Sequence, residues 1–240
     1  VPDADDTAGV LVALHRLGID CDNVRRATCS GLTWLLDLQN SDGGIPTFCR
    51  GWGKLEFDRS CPDITAHALE AFTFWQDQLP LPLAARIRHA ISRLLTYLYA
   101  QQRTDGTWLP LWFGNPSATD KTNPVYGTAR VLSVLSKLDF GRYPILEVMI
   151  PPAIIFLASS QHSDGGWSAG TDIPSSIEET ALAVTALKHA GPQNAEAVNA
   201  GVNFLIQATS EGTHFPPAPI GLYFAKLWYT EDLYPLIFAL

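Results

Sequence analysis

One short pattern recurs four times along the chain and constrains its fold more than any other feature. Each copy is a Thr-Ala step followed by apolar residues at helical spacing, as in DDTAGVLVAL, DITAHALEAF, YGTARVLSVL and EETALAVTAL. The threonines of these steps are Thr7, Thr65, Thr128 and Thr180. They recur roughly every 60 residues, and a period of that length is typical of a repeated structural unit.

A second series lies between these steps. The segments are WLLDLQNSDGG, YLYAQQRTDGTW, FLASSQHSDGGW and the weaker FLIQATSEGTHF, and their glutamines are Gln39, Gln102, Gln161 and Gln207. Each carries an aromatic and aliphatic stripe before its Gln, and in the first three an Asp-Gly turn follows. Every unit is therefore predicted to be a helix pair, in which one helix begins at Thr-Ala and the other ends at Gln.

Repeated helix pairs form either an open solenoid or a closed α/α toroid, and the irregular spacing and long loops favour the toroid. We predict an all-α fold of the α/α-toroid class, with the two helix series in separate layers. A single domain with four helix-pair repeats is expected over residues 1–240. Since four pairs are too few to close a full ring, the toroid is expected to be incomplete at the N-terminus.

The bulk composition excludes several classes of function. Lys and Arg number 16 against 24 Asp and Glu, and this acidic balance without a basic run argues against nucleic-acid binding. No uninterrupted apolar stretch reaches the roughly 20 residues of a membrane span. The four cysteines lack zinc-finger spacing and are expected to be free thiols.

The chain begins with three acids, Asp3, Asp5 and Asp6, directly before Thr7 and an apolar run. Neighbouring carboxylates raise one another's pKa, so that one of them can keep its proton at neutral pH. Acids and Thr also cap the start of a helix, where backbone N–H groups lack partners. The residues alone leave both interpretations open, and the two can coexist.

Several segments resemble the squalene–hopene cyclase family. DADDTA resembles its acid motif, the three Gln-Asp-Gly segments its repeated turn motifs, and PDITAHALEAF the segment with its catalytic histidine. TWLPLW with VYGTA resembles its tryptophan–tyrosine segment, and FPPAPIGLYFAKLWYTEDLYPLIF its aromatic C-terminal stretch. The resemblance covers nearly the whole chain and implies an α/α-toroid catalytic domain. The family's second α-barrel domain is not expected within residues 1–240, and GGIPTF stands where the first Gly-x-Trp turn is expected.

The resemblance also implies a reaction. It indicates a class II terpene cyclase that protonates a terminal alkene of squalene or a similar linear polyprene and forms a hopene-like polycycle, an isomerase or lyase of hopanoid synthesis. Asp5 matches the proton donor, and His67 the histidine that bonds the carbonyl oxygen of the donor. Asp3 and Asp6 match acids that keep His67 charged. No cofactor and no metal are expected.

Carbocations require walls that stabilise positive charge without attacking it, and aromatic faces do this by cation–π attraction. Trp112 and Tyr126 match the lining segment of the family. Trp52 and Phe48 are added as candidate substrate-binding residues because they lie in a loop rather than in a helical stripe. The partner implied by the resemblance is a hydrophobic polyprene.

Other functions remain open at this point. The first is a class II cyclase of a prenyl diphosphate, which shares the acid motif. A protein prenyltransferase β-subunit has the same toroid, but its zinc-ligand pattern is not apparent. The non-enzymatic alternative is a helical-repeat interaction module in which the acids are caps. For a cyclase we expect peripheral contact with the cytoplasmic side of the cell membrane, and a homodimer is a further expectation.

Overall fold

The chain is mostly helical in the computed structural model, which describes residues 2–53, 55–222 and 227–240. The long helices are α1 (Ala4–Leu17), α2 (Asp22–Leu38), α3 (Pro62–Trp75), α4 (Leu81–Gln101), α5 (Pro124–Leu135), α6 (Leu146–Ser159), α7 (Ile177–His189) and α8 (Ala195–Ala208). Near the C-terminus lie two strands, β1 (Pro219–Leu222) and β2 (Leu227–Thr230), and the short helix α9 (Tyr234–Ala239). Residues 223–226 of the predicted aromatic tail fall outside the described residues.

The eight long helices form the four predicted pairs, and each pair joins a Thr-Ala helix to a helix of the second series. The structure divides into two compact units, Val1–Gln101 and Gln102–Leu240, each containing two pairs. The single domain over 1–240 stays a prediction.

Within each unit the Thr-Ala helices pack against each other, α1 on α3 in the first and α5 on α7 in the second. Nearly every residue of α3 is buried, whereas α8 buries only Gly201 among its residues. Each helix of the second series packs against its Thr-Ala partner. The two series therefore occupy different layers of each unit, as the interleaved patterns predict.

Three of the four repeated threonines share a structural role. Their hydroxyls accept the backbone N–H of the residue that follows the preceding turn: Ile45 to Thr65 at 2.9 Å, Trp108 to Thr128 at 3.1 Å, and Trp167 to Thr180 at 2.9 Å. All three threonine side chains are buried. A buried N–H without a partner is costly, which accounts for Thr at this position of the repeat.

Three of the repeated glutamines make two bonds each, one to the turn that follows and one to a helix of the second series. The Gln161 side-chain amide donates to the Gly165 carbonyl and to the Ala197 carbonyl of α8, both at 2.9 Å. The same pair of bonds runs from Gln39 to Gly43 and Ala90, and from Gln102 to Gly106 and Met149. Gln207 of the weaker fourth segment lies inside α8 instead of after its end.

The turn glycines make close contacts that a side chain cannot share. Gly165 has φ +88°, and a Cβ there would lie 2.6 Å from the Ala200 carbonyl oxygen.

We expect Gly165→Ala to lower the free energy of unfolding by about 3 kcal/mol, because backbone strain and steric overlap add. Gly18 has φ +62° and open space around it, so that Gly18→Ala isolates the strain and should cost about 1 kcal/mol. Urea unfolding measures both, and equal losses would contradict the overlap.

The hairpin of β1 and β2 departs from the helical expectation. The two strands are antiparallel, with Ile220 opposite Tyr229. A further backbone bond of 2.9 Å runs from the Gly114 N–H to the Gly221 carbonyl, so the hairpin is attached to the loop before α5. Within the described ranges, no helix combines the length and apolarity needed to cross a bilayer.

Candidate functional site

The acid motif forms the start of α1. Asp3 is the N-cap, and its Oδ1 accepts the backbone N–H groups of Asp5 at 2.8 Å and of Asp6 at 3.2 Å. Burial raises the pKa of Asp3, and the two accepted N–H groups oppose that rise. The Asp6 side chain is exposed. The capping interpretation thus describes Asp3, while the predicted roles of Asp3 and Asp6 toward His67 stay predictions.

Asp5 contacts His67 across two helices of the first unit. Asp5 Oδ1 of α1 lies 2.6 Å from His67 Nδ1 of α3, a short distance typical of a charge-assisted hydrogen bond. The exposed fraction of the side chain is 43% for Asp5 and 18% for His67. The carboxyl is therefore reachable from outside, whereas the imidazole that touches it is mostly enclosed.

Neighbouring contacts fix this pair. The indole Nε1 of Trp75 in α3 donates to the Leu11 carbonyl of α1 at 2.9 Å and so ties the two helices together. Gly9 of α1 faces the imidazole: a Cβ built at Gly9 would lie 3.4 Å from His67 Cε1. Gly9 follows Asp5 by one turn of α1, so the imidazole packs along the same side of this helix that carries the acid.

An aromatic loop is attached to the start of α1. The Ala4 N–H donates to the Phe48 carbonyl at 2.8 Å, which places this loop beside the acid motif. The ring centroids of Phe48, Trp52 and Phe57 lie 4.9–5.7 Å apart. We call these three rings the first aromatic cluster. The predicted residues Phe48 and Trp52 belong to it, and Trp52 is 41% exposed.

The other two predicted lining residues lie in the second unit. Phe113 packs against Tyr126 in a tilted arrangement with a centroid distance of 4.3 Å, and it lies 5.9 Å from the Trp112 ring. Tyr234 of α9 lies 5.9 Å from Phe113. The second aromatic cluster comprises Trp112, Phe113, Tyr126, Tyr229, Tyr234 and Phe238, with Leu182 and Ile220 packed among them.

Two consecutive glutamates at the start of α7 are buried, with only 3% of Glu178 and 2% of Glu179 exposed. Glu178 Oε1 accepts the Ala218 N–H at 2.7 Å, while its buried Oε2 has no hydrogen-bond partner among the described residues. Glu179 Oε1 accepts from the Asn123 side-chain amide at 2.8 Å, and Oε2 accepts from the Ser176 hydroxyl. Burial raises the pKa of Glu178 and raises that of Glu179 to about 7.

The raised pKa of Glu179 predicts a pH-dependent stability. The folded protein holds a proton on Glu179 that the unfolded chain releases above its ordinary pKa near 4.3. The free energy of unfolding should therefore fall between pH 4.5 and about 7, by on the order of 3 kcal/mol from this group. Urea unfolding of the parent and of Glu179→Gln over this range tests it. Equal slopes in the two proteins would contradict the prediction.

Sequence reasoning missed three parts of these arrangements. Phe57 completes the first aromatic cluster, but its sequence context gave no helical or turn signal. Glu178 and Glu179 stand at the same repeat position as Asp5 and Asp6, and this alignment is the sequence signal that could have indicated them. Over the part of the chain that the structure describes, no group of three or more His, Cys, Asp or Glu residues is arranged to hold a metal ion.

In the first unit, a carboxyl held by a histidine, together with a cluster of aromatic rings, suits proton transfer to a weak base and stabilisation of the resulting cation. The family model described as "Squalene-hopene cyclase C-terminal domain" matches residues 1–240.

The chain is also similar in sequence to curated cyclases and synthases. Squalene–hopene cyclase of Alicyclobacillus acidocaldarius is 29% identical over 86% of this chain and 33% of its own length. Drimenyl diphosphate synthase of Streptomyces showdoensis is 32% identical over 80% of this chain and 31% of its own length. The chain spans between 18% and 34% of the length of the first curated relatives that it matches.

Among solved structures, ent-copalyl diphosphate synthase from Streptomyces platensis is similar in fold. Its TM-score is 0.70 at 22% identity, with 99% of this chain and 40% of that chain covered. This likeness, together with the helix pairs, confirms the predicted all-α, α/α-toroid fold class.

Proposed function

From its membership of the family of the squalene–hopene cyclase C-terminal domain, which the motifs indicated, we propose that the chain is part of a class II terpene cyclase. It supplies the acid that protonates the substrate. The enzyme protonates a terminal alkene of a linear polyprene and cyclises it through carbocations. One observation carries the proposal: the 2.6 Å contact between Asp5 Oδ1 and His67 Nδ1.

In the proposed first step, His67 in its imidazolium form donates its Nδ1–H to Oδ1 of a protonated Asp5. This bond withdraws electron density from the carboxyl group, and the proton on Oδ2 becomes more acidic. The Oδ2–H bond breaks, the π electrons of the alkene form a new C–H bond, and a tertiary carbocation remains on the substrate. Asp5 is left as a carboxylate paired with the imidazolium, and a proton from solvent restores it.

The two aromatic clusters support the later steps. Ring faces attract the cation that migrates during cyclisation, and they carry no lone pair that would trap it. We propose that Phe48 and Trp52 of the first cluster, and Trp112 and Tyr126 of the second, bind the hydrophobic substrate. Peripheral contact with the cytoplasmic side of the cell membrane would give the enzyme access to such a substrate.

The substrate class has two candidates. Squalene or a similar polyprene is our first choice, since the motifs follow the squalene–hopene cyclase pattern along nearly the whole chain. A prenyl diphosphate is the second, and the similarity to drimenyl diphosphate synthase at 32% identity favours it.

Parallel incubations of the purified protein with squalene and with farnesyl or geranylgeranyl diphosphate separate the candidates. Extracts are analysed by gas chromatography–mass spectrometry, after phosphatase treatment for the diphosphates. A cyclic hydrocarbon from squalene alone supports the first candidate, and cyclic alcohols from the diphosphates support the second. No cyclic product from any of these substrates would contradict the proposed function.

A further inference from the structure

The buried Glu179 lies at the junction of the segments that carry the second aromatic cluster. Its Oε1 accepts from the Asn123 amide nitrogen, and the Asn123 amide oxygen in turn accepts the Tyr126 N–H at 3.0 Å. Asn123 is the N-cap of α5, so its two bonds link Glu179 directly to the helix start that carries Tyr126.

Glu179 also holds the loop before α5. The Asn115 side chain hydrogen-bonds the Glu179 carboxyl, and the Asn115 backbone N–H donates to the Lys121 carbonyl at 3.1 Å. Asn115 and Asn123 are both buried. Because the loop follows directly from Trp112 and Phe113, the carboxyl anchors the segment that carries both rings.

These contacts distinguish Glu179 from an ordinary buried acid. Its partners come from both ends of one loop and from Ser176, the N-cap of its own helix. Replacing the carboxyl with an apolar group leaves the buried Asn123 and Asn115 amides without their hydrogen-bond acceptor. These side chains must then find new partners or move.

We propose that Glu179 is a positioning residue that fixes Trp112, Phe113 and Tyr126 of the second aromatic cluster and thereby determines which cyclic products form. The effect on products rests on the proposed function, whereas the effect on the position of the loop does not. Glu179 acts through Asn123 and Asn115 and does not need to touch the substrate.

Hydrogen exchange tests the positioning without any substrate. In Glu179→Leu, amides of residues 112–128 should exchange about tenfold to a hundredfold faster, because buried hydrogen bonds are lost. Glu179→Gln keeps an oxygen for Asn123 and should restore most of the protection. Gln161→Ala is the matched control. It removes the hydrogen bonds that tie the turn after α6 to α8 in the same unit, and it does not touch the cluster. Equal acceleration over the whole unit in Glu179→Leu and Gln161→Ala would overturn the proposal.

If Glu179→Leu does not fold, Asn115→Ala takes its place and should accelerate exchange only around residues 113–118. Unchanged exchange there would equally overturn the proposal. Product analysis is the second readout: Glu179→Leu should shift the ratio of cyclic products or raise KM, while Gln161→Ala leaves both unchanged. A parent protein without cyclase activity would contradict the proposed function alone, since the exchange measurements still decide the role of Glu179.

Discussion

Asp5→Asn should abolish turnover while the protein stays folded. The amide keeps the shape of the side chain and can still accept the bond from His67, but it has no proton acidic enough for an alkene. We expect kcat to fall by on the order of 10⁴-fold. Since the Asp5 side chain is partly exposed, the free energy of unfolding should change by less than about 1 kcal/mol.

The matched control is Asp172→Asn, which makes the same chemical change at an exposed loop residue and should leave kcat unchanged. Initial rates by gas chromatography–mass spectrometry and urea unfolding curves are measured on all three proteins. Ordinary activity in a folded Asp5→Asn protein would remove Asp5 as the proton donor.

His67→Ala is expected to have the second largest effect. It removes the group that bonds the Asp5 carboxyl at 2.6 Å, so that the acid loses the hydrogen bond on which the proposed mechanism depends. We expect kcat to fall by about 10³-fold. Tyr126→Phe keeps the ring of the second aromatic cluster and loses only a hydroxyl, and it should cost less than about tenfold.

The order of these two effects is the informative result. Single-turnover rates at saturating substrate compare the two variants with KM effects removed. A larger loss in Tyr126→Phe than in His67→Ala would remove His67 as the main support of the acid.

Much of the fold was predictable because its signals are local. A Thr-Ala step, an apolar stripe and a Gln before Asp-Gly each lie within about a dozen residues, and each corresponds to a helix start, a buried face or a turn. The threonine of this step makes the same type of bond in three repeats, and so does the glutamine before Asp-Gly.

The candidate site was only partly predictable, since burial depends on contacts between distant segments. Glu178 and Glu179 stand at a helix start with no local signal of burial, yet the loop before α5 and the hairpin segment cover them. Phe57 joins its cluster through the folding of a loop without periodicity. The strand pair β1–β2 is short, and tertiary packing rather than propensity sets such strands.

The glutamine bonds have a consequence for how the protein unfolds. Beyond the turn that follows each glutamine, the Gln161 bonds reach the adjacent α8, and the Gln39 bonds reach α4. The stabilisation from such bonds between adjacent helices is a sum of nearest-neighbour terms, as in a one-dimensional array. Cooperativity is then limited by the weakest joint, and the last pair, whose Gln207 lies within α8 rather than at a turn, is the place where melting should begin.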